Sequence, residues 1–241
     1  MNSKEDFLDF YSKNYNPDES MQDFDAVFKK FHVEKIIENL SGNNILELGC
    51  AAGYSTKLLD EFGHKVTVVE GSINYINLAK EKYEFNNVEF IHSLWEELEL
   101  KVFFSDILLV DSLQLVEDRK KLILKIKNLM EDKGRLHLIV PNNNSFHRIL
   151  GKEMKIIDTL ESGSERDIEV RAKQDLNWDS VRNLVIECGL KTVEEYGILF
   201  KIFDNKKMLQ LDENTINALF SLGNQFKENA AHMYLCCEKI D

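Results

Sequence analysis

The segment ILELGCAAGYST, residues 45–56, decides the fold. A short run typical of a buried strand leads into a glycine-containing turn, and a helical pattern follows. Gly49 lacks a Cβ, so its backbone can approach a ligand closely, and Gly53 permits tight packing where the helix begins. The first turn of that helix offers unpaired N–H groups to a ligand. The segment predicts a tight strand-to-helix turn, which is compatible with a ligand and also with none.

Outside this segment, short apolar runs alternate with helical patterns. Strands are predicted at 44–49, 65–70, 88–92, 106–111, 135–140, 195–203 and 232–239. Helices are predicted at 33–40, 119–130, 181–188 and 212–220. This alternation favours a doubly wound α/β fold, with a mostly parallel sheet, helices on both faces and an antiparallel last strand. The two strands at the end of the chain could close the sheet with an antiparallel edge. We predict a single domain, 1–241, in which the polar stretch 141–177 follows a strand end and is a candidate for holding a substrate.

Composition excludes several classes of protein. The 241 residues are 44% hydrophobic and 30% charged, which is the balance of a soluble globular chain, and the net charge of −12 argues against nucleic acid or an anionic membrane as partner. No signal-peptide pattern and no apolar run of membrane-spanning length occurs. The cysteines Cys50, Cys188, Cys236 and Cys237 lack metal or disulfide spacing, which favours free thiols in the cytoplasm. The histidines show no ligand spacing either, so no metal is expected.

Two nucleotide cofactors could use the turn. A dinucleotide fingerprint needs G-x-G-x-x-G, but Ala51 and Tyr54 occupy its second and third glycine positions. The pattern E-x-G-x-x-x-G fits instead through Glu47, Gly49 and Gly53, and an acid before the turn suits a cationic ligand such as S-adenosylmethionine. A carboxylate at the end of the second strand, Glu70, could accept both hydroxyls of a ribose.

With these residues in place, the sequence resembles the class I S-adenosylmethionine-dependent methyltransferases over about residues 40–200. ILELGCAAGYST resembles their first motif, VTVVEGS their second strand, FIHSLWEEL the segment that packs on adenine, and DILLVDSLQLVED their fourth motif. The resemblance implies a seven-stranded, Rossmann-like methyltransferase fold and S-adenosylmethionine as cofactor. The residues expected to contact the cofactor are Glu47, Gly49, Cys50, Ala51, Gly53, Glu70, Gly71, Ser72, Leu94, Trp95, Asp111 and Ser112.

The stretch after the fifth strand resembles a bacterial small-molecule and surface-glycan branch, which often carries PNxxSxHRxxG. Here that pattern runs from Pro141 to Gly151, whereas a Gly-His-Arg-Arg run of many members is replaced by RAKQ at 171–174. The resemblance implies O-methylation of a small acceptor, anionic or nucleotide-linked, such as a surface-polysaccharide sugar or a phosphoramidate precursor. His147, in the loop beyond the strand, is the candidate general base.

An N-terminal segment, 1–40, is predicted to form a helical lid over the cofactor. Its aromatic stripe is compatible with simple core packing; in a lid, Tyr11 and Tyr15, and after them Met21, would lie near the sulfonium. Two other functions stay open. One is a nicotinamide-dependent oxidoreductase, which the missing glycines disfavour. The other is a non-catalytic protein that binds S-adenosylmethionine and acts through a partner, which the loss of Gly-His-Arg-Arg allows. The sequence does not determine the oligomeric state.

Overall fold

The computed structural model describes residues 4–14, 24–163, 172–173 and 175–240. The strands are β1 Asn44–Leu48, β2 Lys65–Glu70, β3 Val88–His92, β4 Phe104–Val110, β5 Met130–Pro141, β6 Leu190–Ile198 and β7 His232–Lys239. The helices are α1 Lys4–Asn14, α2 Phe24–Glu38, α3 Tyr54–Glu61, α4 Ile73–Lys82, α5 Arg119–Leu129, α6 Phe146–Glu153, α7 Trp178–Glu187, α8 Asn205–Met208 and α9 Glu213–Gln225. Short 3-10 turns lie at Leu113–Leu115 and Lys227–Asn229.

These strands form one seven-stranded sheet in the order β3-β2-β1-β4-β5-β7-β6. β1 pairs in parallel with β2 and β4, β2 pairs in parallel with β3, and β6 pairs with β7 in antiparallel fashion. The predicted α/β fold with its antiparallel last strand is confirmed. Within the described ranges, no helix combines the length and apolar character needed to cross a bilayer.

The chain divides into two compact units. The first contains the described residues of Met1–Leu109 and Leu124–His137, and the second those of Val110–Ile123 and Leu138–Asp241. The prediction of one methyltransferase domain over 1–241 stays a prediction.

In the first unit, strand register places the turn after β1 beside the end of β2. Leu48 is opposite Val69, and the N–H of Gly49 extends the ladder by donating to the carbonyl of Val69 at 2.9 Å. The apolar side chains of both strands are buried, because the strands are covered on both faces. Since parallel strands end at the same edge, the glycine turn and Glu70 become neighbours.

A buried hydrogen bond between a histidine and a carboxylate supports the other end of this unit. His137 Nε2 lies 2.9 Å from Asp106 Oδ1, and neither side chain is exposed. Asp106 also accepts the N–H groups of Ser41 and Gly42, so it fixes the connection between α2 and β1. His137 is therefore a core residue whose Nε2 has a hydrogen-bond partner.

The second unit corrects one predicted strand. β6 begins at Leu190, not at residue 195, because Gly189 ends α7 in a left-handed conformation with φ of 69° and the chain extends at once. It ends at Ile198, because Leu199 adopts φ of 62° and Phe200 donates its N–H to the carbonyl of Leu219 instead. The apolar run that predicted a strand to residue 203 therefore belongs partly to a loop.

Candidate active site

Three of the five residues in the turn between β1 and α3 have left-handed conformations. Gly49 has φ of 87°, Ala51 of 47° and Gly53 of 90°. A Cβ on Gly53 would lie 2.8 Å from the Cβ of Ala79, so this glycine is needed for packing as well as for conformation. Ala51 holds a left-handed conformation with a side chain, and such strain is characteristic of functional sites. The first helical residue, Tyr54, follows Gly53, and no side chain caps this helix end.

Glu70 connects this turn to the start of α4. Its Oε2 accepts the N–H groups of Cys50 and Ala51 at 3.1 and 3.2 Å, and its Oε1 accepts the N–H of Ser72 at 3.0 Å. Burial raises the pKa of this carboxyl, and the backbone hydrogen bonds oppose that rise. Because a carboxylate oxygen has two lone pairs, Oε1 keeps one acceptor position. The carboxylate therefore shapes the turn and retains capacity for one further donor.

Glu47 lies beneath the same turn. It is buried and accepts a hydrogen bond from the hydroxyl of Thr56 at 2.6 Å, which ties β1 to α3. The pKa of the Cys50 thiol is raised well above its ordinary value by burial, and then by the charges of Glu70 and Glu47. Two buried acids thus give this turn a negative potential, which suits a cationic ligand better than a pyrophosphate.

The end of β2 is covered by α1. A Cβ on Gly71 would lie 2.6 Å from Leu8 Cδ1 and 3.1 Å from Leu94 Cδ2, so both leucine side chains pack closely on this glycine. Ser72 donates its hydroxyl to the Asp9 carboxylate at 2.6 Å. The Lys4 ammonium lies 5.9 Å from the centre of the Trp95 ring. The helix therefore packs on both segments that the sequence assigned to the ribose and the adenine.

Three residues of the predicted lid lie beyond what the structure describes. Tyr15 and Met21 fall outside the described residues, and of Tyr11 only the backbone, within α1, is described. Their predicted contacts with the sulfonium stay predictions.

Asp111 and Ser112 belong to the second unit, directly after β4. Asp111 has φ of 48°, and its N–H donates to the carbonyl of Ile139 at 2.8 Å. Its Oδ1 lies 3.5 Å from Nε2 of His232, the first residue of β7. The hydroxyl of Ser112 donates to the carbonyl of Val110 at 2.8 Å. Asp111 is thus the better placed of the two to present a charge at the strand end.

His147 occupies the second position of α6 and is half-buried. Its pKa lies well below the ordinary histidine value, chiefly because of burial, and the positive charges of Lys201 and Arg148 lower it further. A neutral imidazole in these surroundings holds an added proton poorly, so it suits hydrogen bonding to a substrate better than lasting protonation. Its predicted role as general base stays a prediction.

Arg148 anchors the loop that follows α6. Its guanidinium donates to the carbonyl of Leu160 at 2.7 and 3.1 Å and to that of Ser162 at 2.5 Å. The charge that could attract an anionic substrate therefore also has a structural task.

Sequence reasoning missed several polar residues of the second unit. Lys201 and His232 were assigned only to predicted strands, and Gln114, Asn143 and Ser145 received no role. Each lies just after a strand or at its start, and the sequence signal that could have found them is a polar side chain at a strand end.

Comparison with known proteins identifies the class. The sequence model of a family described as "Methyltransferase domain" matches residues 21–182. The match covers more than half of the chain, so the chain belongs to this methyltransferase family, and S-adenosylmethionine is its cofactor. The fold, the glycine turn and the family together define an S-adenosylmethionine-dependent methyltransferase.

The individual relatives are distant. Magnesium protoporphyrin IX methyltransferase from Synechocystis PCC 6803, solved with bound S-adenosylhomocysteine, aligns with a TM-score of 0.66 and 15% identity over 98% of each chain. The CcbJ methyltransferase from Streptomyces caelestis aligns with a TM-score of 0.62 and 14% identity, over 89% of this chain and 90% of that one.

A curated relative, the mitochondrial ubiquinone biosynthesis O-methyltransferase of Schizosaccharomyces pombe, is 27% identical over 115 residues, 46% of this chain. The alignment spans 42% of that relative's length. The structural likenesses support the fold, and none of these relatives determines the acceptor.

Proposed function

We propose that the protein transfers the methyl group of S-adenosylmethionine to an oxygen atom of a small molecule, such as a surface-polysaccharide sugar or a nucleotide-linked precursor. The observation that carries the cofactor half of this proposal is the carboxylate of Glu70, which is buried at the glycine turn and keeps an acceptor position. When bound, the cofactor supplies an activated methyl group, whose transfer needs an oxygen held close and in line.

The residues of the first unit fit this cofactor. Glu70 would accept a ribose hydroxyl, and the left-handed turn at Gly49 leaves its backbone open to close approach. The uncapped start of α3 offers N–H groups that suit a carboxylate. Leu94 and Trp95 would flank the adenine, and α1 would serve as the lid over this end of the site.

The residues of the second unit fit the acceptor. Asp111 and His232 form a carboxylate–imidazole pair at the end of β4, and His147 lies in the loop after β5. A hydroxyl acceptor loses its proton as the new carbon–oxygen bond forms, and a neutral histidine beside it would accept that proton briefly and pass it on to solvent. Membership of the bacterial surface-glycan branch rests on the PNxxSxHRxxG pattern, and a cytoplasmic location is supported by four buried, free cysteines.

Calorimetric titration with S-adenosylhomocysteine and with NADH separates the cofactor classes. We expect S-adenosylhomocysteine to bind and NADH not to bind. Binding of NADH without binding of S-adenosylhomocysteine would instead favour a nicotinamide-dependent oxidoreductase. Incubation with radiolabelled S-adenosylmethionine and a panel of sugars, sugar phosphates and nucleotide sugars then tests transfer. Cofactor binding without transfer to any acceptor would favour the non-catalytic alternative.

A further inference from the structure

Apart from Asp111, whose carboxylate lies 3.5 Å from His232, four buried side-chain polar atoms of the second unit have no hydrogen-bond partner among the described residues. They are Gln114 Oε1, Asn143 Nδ2, Ser145 Oγ and His147 Nδ1. Gln114 lies in the turn after β4, and the other three lie in the loop after β5 and the start of α6. Buried polar atoms are almost always paired in native proteins, so four unpaired atoms at neighbouring strand ends call for an explanation.

A comparison of two adjacent asparagines shows that the unpaired state is selective. Asn142 is fully engaged, since its Nδ2 donates to the carbonyls of Glu228 and Ala230 at 2.9 and 3.0 Å and its Oδ1 accepts the N–H of Asn144 at 3.0 Å. Asn143 is almost equally buried, yet its Nδ2 lacks a partner among the described residues. The local fold thus pairs one amide completely and leaves the next available.

The chemistry of these atoms restricts the occupant. Gln114 Oε1 can only accept, so it needs a hydroxyl or N–H, whereas Asn143 Nδ2 can only donate, so it needs an oxygen or nitrogen acceptor. Ser145 Oγ serves either purpose. An apolar acceptor, such as a quinol with a lipid tail, would leave most of these atoms unsatisfied and would bind poorly. A molecule that carries several hydroxyl and carbonyl or phosphoryl groups would satisfy them.

Positive charge at this site adds a second restriction. Lys201 is nearly buried, with 9% of its surface exposed, and its ammonium donates to Asn205 Oδ1 at 2.6 Å. Phe200, the residue before Lys201, packs its ring on that of Phe146, the residue before His147, with 5.0 Å between the ring centroids. In keeping with this packing, the charges of Lys201 and Arg148 contribute to the low pKa of His147. In a chain with a net charge of −12, a nearly buried ammonium in the segment that packs against the start of α6 favours an anionic ligand, because a carboxylate or phosphate would gain a charged partner there.

We propose that the unpaired atoms of Gln114, Asn143, Ser145 and His147 bind the methyl acceptor, and that the acceptor is a polar anion whose carboxylate or phosphate pairs with Lys201. This inference rests on the proposed function and adds the substrate class. It disfavours hydrophobic quinols and neutral sugars as substrates.

The first test compares the stability of two variants of the ligand-free protein by thermal unfolding. Asn142→Leu, the matched control, removes a fully paired amide, so its melting temperature should fall. Asn143→Leu removes an amide reserved for a ligand, so its melting temperature should stay the same or rise. An equal fall in both variants would show that Asn143 has a structural task and would overturn its assignment.

The second test measures anion binding without turnover. Protein labelled with 15N-histidine is titrated with glucuronate, inorganic phosphate and neutral glucose, and the ring nitrogens of His147 are observed by NMR. We expect shifts with glucuronate or phosphate and none with glucose, and a phosphate response without a glucuronate response would assign the site to phosphorylated acceptors. Lys201→Gln should weaken binding of the anion at least tenfold. Lys206→Gln, on the exposed surface of α8, should leave that affinity unchanged.

Three results would overturn the inference: NMR shifts with glucose alone, no shifts with any of the probes, or an affinity for the anion that is unchanged in Lys201→Gln. These outcomes are separate from the fate of the proposed function. Calorimetry with S-adenosylhomocysteine reports on the cofactor site, and neither variant pair alters a residue assigned to it.

Discussion

Replacing Glu70 by Gln tests the cofactor site most directly. The carboxylate accepts three backbone N–H groups, from Cys50, Ala51 and Ser72. An amide can keep two of them on its oxygen, but its NH2 group then faces the third donor. Leaving one buried N–H unpaired costs about 1–3 kcal/mol, so we expect the free energy of unfolding to fall by up to that amount. Glu70→Ala would leave all three N–H groups unpaired, so a weaker affinity could come from a disrupted turn as well as from the missing contact with the ligand.

The same variant should bind S-adenosylhomocysteine more weakly. A hydrogen bond to a charged group contributes about 1.5–3 kcal/mol, which corresponds to roughly 10- to 100-fold in the dissociation constant measured by calorimetry. Glu81→Gln, on the exposed surface of α4, is the control and should change neither quantity. An affinity within twofold of the unmodified protein would refute the assignment of Glu70 to the ribose.

The pH dependence of this variant has a defined sign. Burial raises the pKa of Glu70 in the folded state, so its contribution to stability is complete below the unfolded pKa and is lost as pH rises through the folded value. The stability advantage of the unmodified protein over Glu70→Gln should therefore decrease as pH rises above about 4.5, the ordinary value for glutamate. An advantage that grows with pH in urea unfolding would contradict burial as the dominant influence.

Three further changes test other parts of the molecule. Ala51→Gly should raise the free energy of unfolding by about 0.5–1 kcal/mol in urea denaturation, because relief of a left-handed alanine exceeds the extra chain entropy of glycine, and a decrease would argue against strain at φ of 47°. Glu195→Gln should cost about 1 kcal/mol at pH 7, because its carboxylate lies 2.7 Å from Arg182 and 2.8 Å from Lys227. The hydrogen bond from Arg182 leads the causes that lower the pKa of Glu195 to about 2, so this stabilisation should disappear as pH falls from about 4.5 to about 2, and thermal unfolding that shows a constant difference would contradict it. Asp9→Ala removes the acceptor of the Ser72 hydroxyl and, if α1 is the lid, should speed S-adenosylhomocysteine dissociation several-fold in stopped-flow measurements; an unchanged rate would separate α1 from the cofactor.

The first motif was predictable because its constraints are local. Gly49 and Gly53 take left-handed conformations that few other residues adopt without strain, so their positions in ILELGCAAGYST predict a turn. Glu70 was predictable as a strand-end acid. Its three backbone partners were not, because they depend on how β1 and β2 align.

The end of the chain shows why local patterns mislead. The apolar run GILF predicts a continuing strand, but Leu199 turns left-handed and Phe200 bonds to the segment of α9. Close backbone contact explains this break, since a Cβ on Gly197 would lie 2.4 Å from the carbonyl of Gly223. The spacing of apolar residues predicts which side chains are buried, but it does not predict which backbone groups form hydrogen bonds.

The sequence by itself determined the order of strands and helices, the glycine turn and the acid that follows the second strand, because these depend on residues near one another along the chain. Only the tertiary structure decided that Glu70 holds two segments together, that Asn142 Nδ2 is paired while Asn143 Nδ2 is not, and that Phe200 packs on Phe146. The physical reason is that hydrogen-bond satisfaction and burial depend on segments brought together by folding, and those cannot be read from spacing along the chain.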